Sequence, residues 1–158
     1  MTQPECIIFV GLQASGKTTF YRERFASSHE HISRDNFPNA RDRERRQAAL
    51  LAEALERGRS VVLDNTNPTP ADRRGPIAVA RAHGARVVGY FFESETRASL
   101  GRNRRREGKA RVPDVAILTT AKRLLPPLPV EGFDEIHCVR LTDQGTFEVT
   151  PGADPTGE

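Results

Sequence analysis

A short apolar run, Cys6-Ile-Ile-Phe-Val10, leads without a break into Gly11-Leu-Gln-Ala-Ser-Gly16-Lys17-Thr18. This junction constrains the fold more than any other part of the chain. The apolar run has the composition of a strand buried on both faces, as in a parallel sheet. The residues after it match the pattern G-x-x-x-x-G-K-[ST] in full. The glycines let the backbone turn and come close to an anion. The loop's N–H groups then converge on that anion. The helix expected from Lys17 to Ala26 adds its positive N-terminus.

The rest of the chain repeats the alternation. Strands are expected at Glu30–Ser33, Ser60–Leu63, Arg86–Phe92 and Glu135–Leu141, with an edge at Thr146–Val149. Helices are expected over Arg41–Arg57, Pro70–Ala82, Glu93–Arg106 and Val115–Leu124. Ala48, Leu51, Ala52 and Leu55 recur at helical spacing, and Gly58 suits a C-terminal cap. Strands alternating with helices predict an α/β fold: a mostly parallel sheet with helices on both faces, in the manner of P-loop nucleotide hydrolases and kinases. With no repeat and no linker, residues 1–150 read as one domain and 151–158 as a disordered tail.

Composition excludes other classes. A hydrophobic fraction of 37% and a charged fraction of 28% are those of a globular domain rather than a disordered one. Cys6 and Cys138 are too few for a disulfide framework and read as buried thiols. His29, His31, His83 and His137 are scattered and show no metal-ligand spacing. No secretory leader and no membrane-length apolar run is present, so a soluble cytoplasmic protein is expected. Of 24 basic residues 21 are arginines, four of them clustered at Arg102, Arg104, Arg105 and Arg106.

The loop motif predicts a site for the triphosphate of ATP, lined by Gly11, Leu12, Gln13, Ala14, Ser15, Gly16, Lys17, Thr18 and Thr19. Lys17 is expected on the β- and γ-phosphates and the Thr18 hydroxyl on Mg²⁺. Asp35 follows the second strand, at the sheet edge where such folds gather ligands. There it suits a general base for an attacking hydroxyl, a helix cap, or a surface partner for Arg34. Asp64 ends the third strand, where it suits either the water shell of Mg²⁺ or a cap; Asn65-Thr-Asn-Pro68 after it also reads as a plain turn. Arg102 and Arg106, four apart on a helix, face the same way and repel unless they share an anion. They fit a lid over the phosphates, spanning residues 94–113, or a solvated basic face.

Taken together, GLQASGKTTF (Gly11–Phe20), SRDN (Ser33–Asn36), VVLDNTNPTPADRR (Val61–Arg74), RNRRREGKARVPDVAI (Arg102–Ile117) and EGFDEI (Glu131–Ile136) resemble the kinase module of polynucleotide kinases. These enzymes phosphorylate 5′-hydroxyl ends of DNA or RNA. The resemblance implies Asp35 as general base, Lys17 with Arg102 and Arg106 as phosphate ligands, and Arg34 and Asn65 near the acceptor. It departs at Pro38, near which some relatives carry an arginine for the acceptor's 3′-phosphate, and Arg41 or Arg43 would have to substitute. No Asp-x-Asp phosphatase motif is present, so a separate phosphatase or ligase partner would supply those steps. Two other functions remain compatible with the residues. One is a P-loop kinase of a small hydroxyl compound such as a sugar, nucleoside or drug. The other is a non-catalytic nucleotide-binding module, which would need neither a base nor lid arginines.

Overall fold

The computed structural model describes residues 3–152. Six strands form one sheet in the order β2-β3-β1-β4-β5-β6. They are β1 (Glu5–Val10), β2 (His29–Ile32), β3 (Ser60–Leu63), β4 (Arg86–Glu93), β5 (Glu135–Leu141) and β6 (Phe147–Pro151). The first five run parallel, and β6 closes the far edge antiparallel to β5. Five α-helices connect them: α1 (Lys17–Arg24), α2 (Arg43–Glu56), α3 (Pro70–Ala82), α4 (Thr96–Arg104) and α5 (Asp114–Arg123). The predicted α/β architecture is therefore what forms.

The period-two alternation of β1 decides which helix covers which face. Cys6, Ile8 and Val10 point into one core with Leu51 of α2 and Ile77 of α3. Ile7 and Phe9 point into the other, with Phe20 of α1 and Phe92 of β4. Directly beneath the phosphate loop, the rings of Phe9 and Phe92 lie 4.9 Å apart and those of Phe20 and Phe92 5.4 Å apart. Burial of each ring contributes roughly 2–3 kcal/mol. The loop thus stands on a rigid aromatic floor.

Element boundaries differ from the expectation where side chains compete for the backbone. The helix expected over Glu93–Arg106 is shorter at both ends, because Glu93 still pairs with Arg140 in the sheet. At its other end Asn103, fully buried, accepts from the Val112 N–H at 3.0 Å and donates to the Val112 carbonyl at 2.6 Å. That pair folds the chain back and leaves Arg106 beyond the helix. Pro151, assigned to the tail, instead ends β6, and Gly152 N–H donates to the Ile136 carbonyl; the remaining tail positions lie outside the described residues. Cys6 is fully buried, whereas Cys138 is only half-buried, since β5 lies next to the thinly covered edge hairpin. Among the described residues no helix is long and apolar enough to cross a membrane.

Candidate phosphate-transfer site

The loop between β1 and α1 has the backbone its sequence demands. Gly16 sits at φ +96°, a left-handed conformation closed to most residues. A Cβ at Gly11 would lie 2.9 Å from Phe92 Cβ, so the loop could not rest on its floor with any larger residue there. Ala14 also adopts φ +59°, a strained value for a residue with a Cβ. Leu12 is buried, and its carbonyl accepts from the Lys17 ammonium. Gly11 N–H donates to the Thr66 carbonyl at 3.0 Å, tying the loop to the segment after β3. Among the described residues no side chain caps the N-terminus of α1, so its first N–H groups lack a side-chain acceptor.

Lys17 is buried, and its ammonium donates to the carbonyls of Gly11 and Leu12. Burial pushes its pKa down to about 8. The carboxylates of Asp64 and Asp35 pull it back up, and the Arg106 charge pushes it lower. These three side chains from distant parts of the chain therefore share one electrostatic field with Lys17.

Asp64 lies at the end of β3 with its side chain 4% exposed. Its Oδ2 accepts from Thr18 Oγ1 at 2.7 Å and lies 2.8 Å from His31 Nε2. Burial alone would raise this carboxyl's pKa. The hydrogen bonds from His31 and Thr18, with the Lys17 charge, outweigh burial and hold it below the usual carboxylate value. Thr18 and Asp64, the two residues expected at Mg²⁺, are thus brought into direct contact with each other. Among the described residues the Asp64 side chain caps no helix, and its two hydrogen bonds are to side chains of other elements. His31, one of the scattered histidines without metal-ligand spacing in the sequence, belongs to this cluster. Alternation along β2 gave no hint of it, because the strand has only four residues.

Asp35 lies in a 3₁₀ turn, Arg34–Asn36, directly after β2. The cap of that turn is Ser33, whose Oγ accepts from Asp35 N–H at 3.3 Å. Arg34 N–H donates to Asn65 Oδ1 at 2.9 Å, and Asn65 Nδ2 donates to Gln47 Oε1 of α2 at 2.7 Å. The turn is thus held from both sides. Among the described residues the Asp35 side chain caps nothing and forms no ion pair with Arg34 or any other base. Buried Gln47 was not anticipated, since a polar residue on the core face of α2 gains its meaning only from Asn65.

Arg102 reaches the loop from α4. Its Nε donates to the Ala14 carbonyl and its Nη2 to Ser94 Oγ at 2.7 Å. Burial, then the charges of Arg106 and Arg105, disfavour the charged form of Arg102. Arg106, although past the helix end, remains close enough to act on both Lys17 and Arg102, and its guanidinium donates to the Ala110 carbonyl at 3.1 Å. Arg104 and Arg105 are exposed, and Arg104 faces Asp114 at 3.7 Å. The basic run is thus divided between the loop and solvent. On the far side of the loop, Gln13 Nε2 donates to Thr120 Oγ1 of α5 at 3.1 Å.

The chain is similar to several known proteins. The bifunctional polynucleotide phosphatase/kinase of Schizosaccharomyces pombe is 25% identical over 150 residues, covering 92% of this chain and 36% of that protein. The structure of a fungal RNA kinase superposes with a TM-score of 0.68 at 20% identity, over 90% of this chain and 40% of that one. A sugar kinase from Janibacter sp. HTCC2649 superposes with a TM-score of 0.64 at 17% identity, over 85% of each chain. The chain spans only about a third of the curated relative's length, and its likeness to the two solved structures is one of fold. A family model described as an AAA domain matches residues 6–127. A match over that much of the sequence shows that the chain belongs to the AAA_33 family of AAA domains.

Proposed function

We propose that the protein transfers the γ-phosphoryl group of ATP to the 5′-hydroxyl of a polynucleotide. The observation that carries this reading is the Asp35 carboxylate, exposed and without a partner among the described residues, on a turn whose backbone is held by Ser33 and by Asn65 with Gln47, and near enough to Lys17 for its charge to act on the ammonium. A module that only binds nucleotide has no use for an unpaired carboxylate fixed beside its phosphate loop. The residues fit ATP and Mg²⁺. The α1 N-terminus offers uncapped N–H groups, Lys17 and the two arginines supply positive charge, and Thr18 with Asp64 presents the hard oxygen donors Mg²⁺ prefers. When bound, Mg²⁺ neutralises charge on the phosphate oxygens.

Asp35 accepts the proton of the incoming hydroxyl as its oxygen bonds to the γ-phosphorus. The bond from phosphorus to the bridging oxygen breaks, and ADP leaves. Lys17, Arg102 and Arg106 hold the charge on the transferred group. Arg34 Nε, buried without a hydrogen-bond partner among the described residues, is a donor ready for the acceptor.

The sugar kinase fold makes a small hydroxyl compound the second reading. The polynucleotide is favoured by Arg41, Arg43, Arg45 and Arg46, all exposed and none ion-paired among the described residues. Three of them occupy the first turn of α2, next to the Asp35 turn, where positive charge opposes the helix dipole. A polyanion there turns an unfavourable placement into a favourable one.

The test is transfer of γ-labelled phosphate to a single-stranded oligonucleotide with a 5′-hydroxyl, alongside a panel of sugars and nucleosides. Label on the oligonucleotide, lost in Asp35→Ala while nucleotide still binds, is the expected result. Label on a small acceptor alone overturns the substrate, and loss of nucleotide binding in Asp35→Ala overturns the role of Asp35.

A further inference from the structure

Thr18 Oγ1 and His31 Nε2 both meet the same oxygen of Asp64, Oδ2, at 2.7 and 2.8 Å. Oδ1 accepts no hydrogen bond among the described residues. An ionised carboxylate only accepts, so Nε2 of His31 must carry the proton of this contact. One hydrogen bond leaves a carboxylate free to rotate about its Cβ–Cγ bond. Two donors on one oxygen, from different elements, fix its plane and leave Oδ1 without a donor among the described residues.

The rest of the setting keeps His31 in place. Its ring lies against Tyr21, with centroids 4.5 Å apart. Tyr21 in turn donates its hydroxyl hydrogen to the His29 carbonyl at 2.6 Å, locking α1 to β2. Thr18 and Tyr21 are three apart on α1 and share a face. Backbone continuity completes the frame, since Asp64 N–H donates to the Ile32 carbonyl at 2.8 Å. α1, β2 and the end of β3 thus form a rigid triangle around one carboxylate.

We propose that His31 is a positioning residue for the divalent cation that accompanies the nucleotide, acting by holding Asp64 Oδ2 so that Oδ1 is presented to the cation's coordination shell. The inference rests on the nucleotide-and-cation reading of the P-loop and not on the choice of acceptor. It concerns hydrogen-bond geometry, because a phenyl ring would preserve the packing on Tyr21 but supply no N–H. Outer partners of this type commonly set metal affinity by 10- to 100-fold.

The experiment is a Mn²⁺ titration followed by electron paramagnetic resonance, in the presence of a non-hydrolysable ATP analogue, on wild type, His31→Phe and His31→Gln. Metal-free affinity for the analogue is measured first, and thermal melts accompany each variant. Expected is Mn²⁺ binding weakened by about 10- to 100-fold in His31→Phe, metal-free nucleotide affinity within about twofold of wild type, and recovery of most Mn²⁺ affinity in His31→Gln. Should His31→Phe fail to fold, His31→Ala takes its place with the same outcomes. Mn²⁺ binding as in wild type in the variant without the N–H overturns the proposal. So does a His31→Gln protein as weak as His31→Phe. Failure of the wild type to bind the analogue at all counts instead against the nucleotide reading, and is seen before any metal is added.

Discussion

Replacing Arg73 by Met will remove a large part of the protein's stability although Arg73 touches no reacting group. Its side chain is fully buried in α3. Nε donates to the Asn67 carbonyl at 2.9 Å, and Nη2 to the carbonyls of Pro68, at 3.1 Å, and Leu125. Nη1 donates to both oxygens of Glu131, at 3.1 and 3.0 Å. All five N–H donors of the guanidinium are thereby used. Methionine fills similar space but leaves Glu131, whose side chain is 9% exposed, without its counter-charge. It also leaves three carbonyls without this donor. Removing one partner of a buried pair costs about 3–5 kcal/mol, against a typical total of about 5–15 kcal/mol. Urea unfolding should show a loss of about 4 kcal/mol with an unchanged slope, and calorimetry a fall of roughly 8–16 °C in Tm. The double variant Arg73→Met with Glu131→Leu should recover part of the loss, because no unpaired charge then remains. A single-variant loss under about 1 kcal/mol would refute the claim that this pair, rather than the surrounding core, fixes the segment behind the phosphate loop.

Other perturbations probe the site itself. Lys17 has a folded pKa of about 8 against 10.5 unfolded, so the unfolded chain binds more protons between those values and the free protein gains stability as pH rises through them. The gain is roughly 3 kcal/mol; it should appear as a wild-type-minus-Lys17→Met difference in urea unfolding that grows from pH 7.5 to pH 10, and a flat difference would count against it. Bound triphosphate favours the ammonium form, so nucleotide affinity should weaken above about pH 8 in titration calorimetry, with proton uptake on binding. Changing Arg43, Arg45 and Arg46 together to Gln should stabilise the protein by about 1 kcal/mol through the α2 dipole, yet raise the oligonucleotide KM and flatten its salt dependence. Stabilisation without any change in KM would remove these arginines from the acceptor path. Asn103→Ala should free the segment around Val112, costing about 1–3 kcal/mol, and raise protease cleavage within residues 105–112.

Local chemistry carried the first half of the reading. The strand, loop and helix at Cys6–Arg24 were legible because glycine spacing, apolar runs and helix polarity act over a few residues. The same holds for α2 and α3 and for the parallel strands. Side-chain pairings across the chain were not legible. Asn103 and Val112 reset a helix end that periodicity had extended to Arg106. Gln47 and Asn65 hold the Arg34 N–H of the turn that Ser33 caps, a pairing across 18 and 31 positions.

The glycine spacing after the first strand, and the apolar alternation around it, already specify an anion cradle within an α/β sheet. That His31 and Thr18 meet on one oxygen of Asp64, and that Arg73 finds Glu131 58 positions away, emerges with the assembled sheet. The reason is physical. A hydrogen bond depends on tenths of an ångström between groups whose separation in space is set by strand order, and strand order is a property of the whole sheet.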